Sequence, residues 1–265
     1  MKRLALIFMA VFALATAVGA KDKNDSIRIL FIGNSYTYVN DLPQMVAKIS
    51  REVGPDERLP LACSMRAPGG WSLKDHAGSD DTRKAIESRR WDYVVLQDQS
   101  AAPSKPTAVV AQGSYPYARK LDSLIHKSSP KARVIFYMTW GHKFGTQEPL
   151  ADYPLVDTYE GMQMRLATSY LEMTYQNNAW CAPVGLVWRE VRSERPYLQL
   201  NDRDASHPSP AGTYLAANVF YSVLLGRPYQ CLFDGGLGSE TAEYIQQKAQ
   251  SFVATHLRLL NIKRP

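Results

Sequence analysis

The chain has little cysteine: three residues in 265, Cys63, Cys181 and Cys231. Three thiols so widely spaced define no disulfide framework, and whether two of them pair in an oxidising compartment stays open. Cys63 and Cys181 fall in apolar, strand-like segments, where a buried free thiol is the commoner state. No Cys/His pair has zinc-site spacing and no His-Glu-x-x-His occurs, so neither a metal nor another cofactor is expected. Internal repeats, low-complexity tracts and linkers that would mark a domain boundary are also missing. The net charge is +6, and no basic cluster interleaves with aromatics, which argues against a nucleic-acid partner.

What is present begins with a leader. Lys2 and Arg3 precede an apolar run over 4–17, then small residues to Ala20 and an abruptly polar stretch from Lys21. The run is short for a bilayer and has a cleavable end, so residues 1–20 read as a signal peptide, with an uncleaved terminal helix as the alternative. No cysteine follows the cleavage point, so no lipid anchor is expected. The mature chain would be exported, periplasmic or secreted, with no stable membrane anchor. It would keep 245 of the 265 residues and a charge of +4, since Lys2 and Arg3 leave with the leader. Residues 21–265 are expected to form one domain, a size that α/β architecture allows.

Apolar runs over 29–33, 59–65, 93–96, 132–139 and 179–186 read as strands. Segments with helical spacing alternate with them, over 41–53, 81–90, 109–126, 156–176, 209–225 and 241–260. That alternation predicts a parallel sheet covered on both faces. The longest loop is expected over 143–157.

Two stretches carry chemistry. The run Ile29-Leu-Phe-Ile-Gly33 is a buried strand that ends in Asn34 and Ser35. In open α/β sheets ligands bind beyond the carboxyl ends of strands, so Ser35 sits where a nucleophile is useful, before a helix whose first amides can hold an oxyanion. By itself the triplet fits a helix N-cap equally well. Near the other end stands Asp204-Ala-Ser-His207. A serine needs an imidazole to take its proton, and the imidazole needs a carboxylate to fix its tautomer. Asp and His three apart on a tight turn meet that need locally, although a polar turn capping the next helix fits too.

Gly33-Asn34-Ser35 after a strand, a Gly-rich middle segment and Asp204-x-x-His207 together resemble the SGNH (GDSL-like) hydrolases, over about residues 27–221. Gly-Asn-Ser stands where many members have Gly-Asp-Ser. The chain looks most like a poorly characterised, exported bacterial branch with Gly-Asn-Ser-Tyr-Thr and Leu-Gln-x-Gln-Ser segments. The resemblance implies a flavodoxin-like three-layer α/β/α sandwich with a five-stranded parallel sheet. It implies Ser35 as nucleophile, His207 as general base and Asp204 as the group that orients His207.

The resemblance also implies an oxyanion hole from the amides of Ser35 and a glycine, with a side-chain amide as third donor. Gly70 of Pro68-Gly69-Gly70-Trp71 matches best, and Gly69 stays open. The third donor, an Asn in many members, falls on Leu96-Gln97-Asp98-Gln99-Ser100. Gln97 directly follows the strand and is preferred, with Gln99 the alternative; a plain polar loop accounts for either. Asn34, Tyr36, Trp71, Gln99 and Trp140 are candidate substrate contacts. Aromatic faces near the strand ends, Tyr38 included, suit sugar rings, although such residues also pack cores. His76 and His142 have no acidic partner in sequence and read as surface histidines.

The expected activity is hydrolysis of small acyl esters, acetyl above all, on a carbohydrate. The alternative is a carbohydrate-binding protein that kept the fold and lost the activity. An α/β-hydrolase is excluded, because Tyr36 and Thr37 follow Ser35 where its elbow needs Gly-x-Ser-x-Gly.

Overall fold

Runs such as Ile29–Ile32, Val94–Leu96 and Val134–Tyr137 are apolar at successive positions, and both faces of each are buried. Only a sheet layered by helices on both sides satisfies such strands. The computed structural model describes residues 26–148 and 151–264, so the leader expected at 1–20 lies outside the described residues. From the amino end come β1 (Ile27–Ile32), α1 (Ser35–Tyr38), α2 (Leu42–Glu52), β2 (Leu61–Arg66), α3 (Leu73–Gly78), α4 (Asp80–Glu87) and β3 (Tyr93–Leu96). Then follow α5 (Thr107–Gly113), α6 (Tyr115–Ser128), β4 (Arg133–Tyr137), α7 (Tyr159–Gln176), β5 (Trp180–Ala182), α8 (Val184–Glu194), α9 (Pro210–Leu225) and α10 (Ser239–Thr255).

All strand pairs are parallel, in the order β2-β1-β3-β4-β5. This is the expected five-stranded, flavodoxin-like α/β arrangement. Ile32 pairs with Leu96, and Leu96 with Phe136, so the carboxyl ends of the three central strands finish level. The strand order reverses between β1 and β3, and that switch point opens the crevice where ligands bind in such sheets.

On one face α2, α8 and α10 pack around α9; on the other α3, α4, α5 and α7 gather on α6. Helix α9 is buried on every side from Ala211 to Leu224, the mark of a helix in the middle of a layer. Its Phe220 meets Phe31 edge-on at 5.4 Å and Tyr137 at 5.0 Å.

Three segments differ from expectation. The helix expected over 109–126 is two helices, because Pro116 has no N–H to give and its ring crowds the preceding turn. The break leaves Ser114 free to donate to Asp98 Oδ2 at 2.6 Å. The strand expected over 179–186 stops at Ala182; Pro183 follows it, and Val184–Glu194 is helical. Gly185 lets that helix dock, since a Cβ there would lie 2.0 Å from the Thr139 carbonyl oxygen. Helix α3 was not expected; Ser72 and Asp75 close a reciprocal capping box at its start.

The three cysteines are free; Cys181 and Cys231 are buried and Cys63 half-buried. Burial pushes the Cys63 and Cys181 thiols up to about 12. Among the described residues no helix is long and apolar enough to cross a membrane.

Candidate active site

At the end of β1 the chain turns through Gly33, Asn34 and Ser35. Gly33 is required, because a Cβ there would lie 2.4 Å from both Gln97 Oε1 and Thr37 Oγ1. Asn34 caps α1, its Oδ1 accepting the Tyr36 N–H at 3.1 Å, and its Nδ2 donates to the Trp71 carbonyl at 2.8 Å. Ser35 is thus not the cap. It opens a single helical turn, with its hydroxyl left for another partner.

That partner arrives from the loop before α9. Asp204 Oδ1 accepts the backbone N–H of Ser206 at 3.0 Å and of His207 at 2.9 Å. Its Oδ2 accepts His207 Nδ1–H. Winding the turn this tightly puts Ala205 at φ +62°, a left-handed conformation that an alanine adopts only under constraint. With the Nδ1 proton held by Asp204, His207 Nε2 accepts from Ser35 Oγ at 2.8 Å. Burial works against the charge on Asp204, but the hydrogen bonds from the His207 ring and from the Ser206 and His207 amides outweigh it. Its carboxyl therefore ionises below the usual range, and the tautomer that readies Nε2 for the Ser35 proton is held.

The two stretches are braced from behind. Asn40 Nδ2 donates to the Pro208 carbonyl at 3.1 Å and to Thr213 Oγ1 at 2.9 Å. The Tyr36 hydroxyl shares a 2.6 Å hydrogen bond with Ser206 Oγ. Trp140 does not lie on a rim, as expected; it is fully buried, stacked between Tyr36 at 4.6 Å and Trp188 at 4.0 Å. Its Nε1–H donates to the Ser206 carbonyl at 3.0 Å. The side chain supports the Asp204–His207 turn and presents no face to a ligand.

The third strand end separates the two glutamines. Gln97 prolongs the β3 ladder, its N–H bonding Ile32 O at 2.9 Å, and the strand's alternation turns its side chain inward. There Oε1 accepts from Asn34 N and Thr37 Oγ1, each at 2.9 Å, while Nε2 donates to Asn34 Oδ1 and Asp98 O. Gln97 is fully buried and its amide is fully spent, so the preference for it as an oxyanion donor is corrected. Gln99 lines the cavity instead. Its Oε1 accepts the Ala101 and Ala102 amides at 2.8 and 3.0 Å, and among the described residues Nε2 has one hydrogen-bond partner, Ser100 Oγ at 3.3 Å.

Between these positions Asp98 ties the loops together. It accepts from Leu73 N at 2.9 Å, Gln99 N at 2.8 Å and Ser114 Oγ at 2.6 Å. The Leu73 bond holds the loop containing Gly70, which takes φ +74° and, with Gly69, faces the cavity. Trp71 is half-buried and lies outside the cavity wall, its ring 5.1 Å from His76. Neither spare histidine is at the surface. His76 is buried, its Nε2 on the Gly33 carbonyl at 2.8 Å and its Nδ1 on Thr82 Oγ1 at 2.9 Å. His142 is buried in the cavity wall.

The cavity has a volume of about 620 Å³, and Ser35, His207, Gly70, Gln99, Tyr36 and Asn34 line it. Ser100, Lys105, His142, Thr146, Gln147 and Glu148 also line it, none of them given a role by the motifs. Ser100 and His142 were within reach of the strand-end rule, since they follow β3 and β4; the loop residues carried no signal. Among the described residues no three His, Cys, Asp or Glu side chains gather as a metal site.

Comparison with known proteins bears on the fold. No family model and no curated protein matches the chain. Solved structures do. A protein from Slackia heliotrinireducens, described provisionally as an SGNH hydrolase, is 26% identical with a TM-score of 0.58, over 74% of this chain and 98% of that one. A DUF4886 family protein from Bacteroides uniformis is 17% identical with a TM-score of 0.63, over 91% and 98%. A catalytic mutant of an acetylxylan esterase from Geobacillus stearothermophilus is 16% identical with a TM-score of 0.55, over 76% and 94%. With this sheet order and these neighbours, the chain has the fold of the SGNH hydrolases.

Proposed function

We propose that the protein is an exported serine esterase that removes small acyl groups, acetyl first among them, from carbohydrate. The observation that carries the reading is the unbroken chain from Ser35 Oγ through His207 to the Asp204 carboxylate at the mouth of a polar cavity. His207 Nε2 takes the Ser35 proton as Oγ bonds to the ester carbonyl carbon, and the carbonyl electron pair moves onto oxygen. The Ser35 and Gly70 amides and Gln99 Nε2 are the donors for that oxyanion. Collapse breaks the bond to the alcohol, which leaves with the His207 proton. Water then gives a proton to His207, attacks the acyl-enzyme and frees Ser35.

Support for a carbohydrate comes from the cavity, whose volume lies within the range of small-molecule sites and whose lining includes many polar side chains. Tyr38, which is exposed, adds aromatic surface. Support for export is the leader at 1–20. The acetyl group rests on the family resemblance, and the acetylxylan esterase of like fold makes acetylated xylo-oligosaccharides the first glycans to test. The test is a screen of the chain from Lys21 against 4-nitrophenyl esters of rising acyl length and acetylated oligosaccharides. Turnover that is highest for acetyl and includes the oligosaccharides is expected. A preference for long acyl chains, or no turnover of any ester, overturns the reading.

A further inference from the structure

The cavity contains a second serine–histidine pair. Ser100, after β3, and His142, after β4, meet at 3.1 Å between Oγ and Nε2, and both line the cavity into which Ser35 opens. Neither is hydrogen-bonded to Ser35, His207 or Asp204 among the described residues, so the proposed chemistry leaves the pair unused.

The protons on this pair follow from its surroundings. His142 is 5% exposed. Burial, against a pull from Asp204 and with a push from His207, holds its pKa below the usual histidine range, and the ring is neutral with one N–H. Nδ1 has no partner among the described residues. A buried acceptor left unpaired is better tolerated than a buried N–H left unpaired, which assigns the proton to Nε2, facing Ser100 Oγ. Ser100 Oγ also receives the Gln99 Nε2–H at 3.3 Å. With both lone pairs engaged, the Ser100 hydroxyl proton is left to give. The neighbouring acceptor in the protein is the Tyr36 hydroxyl, which already shares its 2.6 Å bond with Ser206.

The lining of the cavity therefore presents, besides the reacting serine, an O–H donor backed by a neutral imidazole. Lys105, Thr146, Gln147 and Glu148 add further polar groups to the lining. An acetyl group has no oxygen beyond its own carbonyl to offer such a wall, and a longer acyl chain would be repelled by it. The alcohol half of the ester has oxygens to spare if it is a sugar.

We infer that Ser100 and His142 bind a hydroxyl or ring oxygen on the alcohol half of the substrate and set the preference for sugar esters over simple ones. The inference rests on the esterase reading above and names its substrate-selecting residues. A group built to hydrogen-bond a substrate oxygen discriminates against analogues that lack it.

The test measures kcat and KM for the parent, Ser100→Ala and His142→Ala on 4-nitrophenyl acetate and on an acetylated methyl xyloside, with melting curves for each protein. Both substrates carry the same acyl group, so the readout is the ratio of their kcat/KM values. Losing one hydrogen bond should lower that ratio about five- to tenfold, chiefly through KM of the sugar ester. Because Ser100 also touches Gln99, an equal loss on both substrates means that the pair serves the oxyanion donor, and the inference falls. An unchanged ratio, or a parent that turns over only the nitrophenyl ester, overturns it too. A parent inactive on both esters overturns the esterase reading itself, which distinguishes the two failures. Should His142→Ala not fold, Ser100→Ala decides, because that change removes only one oxygen.

Discussion

Trp140 lies flat on Tyr36, ring centroids 4.6 Å apart and planes within 3°, and so joins the turn that carries Ser35 to the turn that carries His207. Tyr36 directly follows Ser35, while the Trp140 indole N–H holds the carbonyl of Ser206, the residue before His207. The Ser35–His207 distance is therefore set partly by a stack of rings beneath it.

That relationship is testable by keeping the stack and deleting the N–H. Trp140→Phe should fold with modest loss and lower kcat several-fold while KM changes little, because it leaves the Ser206 carbonyl unpaired and frees the His207 turn. A kcat equal to the parent's would mean that the turn holds its own geometry.

Ser35→Ala should abolish ester hydrolysis and leave the melting temperature near the parent's, since among the described residues the hydroxyl bonds only His207. His207→Ala should be nearly as damaging, and the double variant little worse than either, because the residues act as one unit. Losses in kcat that multiply in the double variant would contradict a shared step.

The two glutamines should part company. Gln99→Ala should lower kcat about a hundredfold with little change in KM, the size expected for one oxyanion donor. Gln97→Ala should act first on stability, by about 1–3 kcal/mol, because it strands the Asn34 N–H and the Thr37 hydroxyl in the interior. Urea unfolding and steady-state kinetics on one acetyl ester separate the effects. A Gln99→Ala enzyme with parental kcat leaves the oxyanion to backbone amides alone.

Asp98 should make stability depend on pH. Burial raises its pKa more than its three hydrogen bonds lower it. The native state then holds the proton more tightly than the unfolded chain, so its contribution is largest below the unfolded value of about 3.9 and declines as pH rises through the raised native value. Asp98→Asn does not titrate. The parent's advantage in melting temperature over this variant should therefore narrow as pH rises from the ordinary carboxylate range toward neutrality. A gap that widens instead would show a carboxylate stabilised as the anion.

The sequence by itself determined the parts that short-range pattern controls. Continuous apolar runs located β1, β3 and β4 to within a few residues, because a strand buried on both faces has no polar position to interrupt it. The Asp204 and His207 side chains meet within one turn, a distance that three residues of chain can span without help. Tertiary structure decided what depends on which way a side chain faces. Gln97 and Gln99 share a residue type and stand two apart, but the ladder to Ile32 continues through the first and ends before the second, so one amide is spent inside and the other reaches the cavity. Trp140 and His142 stand two apart after the same strand; one is sealed under Tyr36 and the other joins the wall. The run after Ala179 was ambiguous because a short apolar segment suits a buried strand or a buried helix, and Pro183 with the close approach at Gly185 settled it as both in succession. Ser35 and His207 are 172 residues apart, and their 2.8 Å contact comes from the packing of α9 against α2 and from Asn40, which ties that side to Pro208 and Thr213.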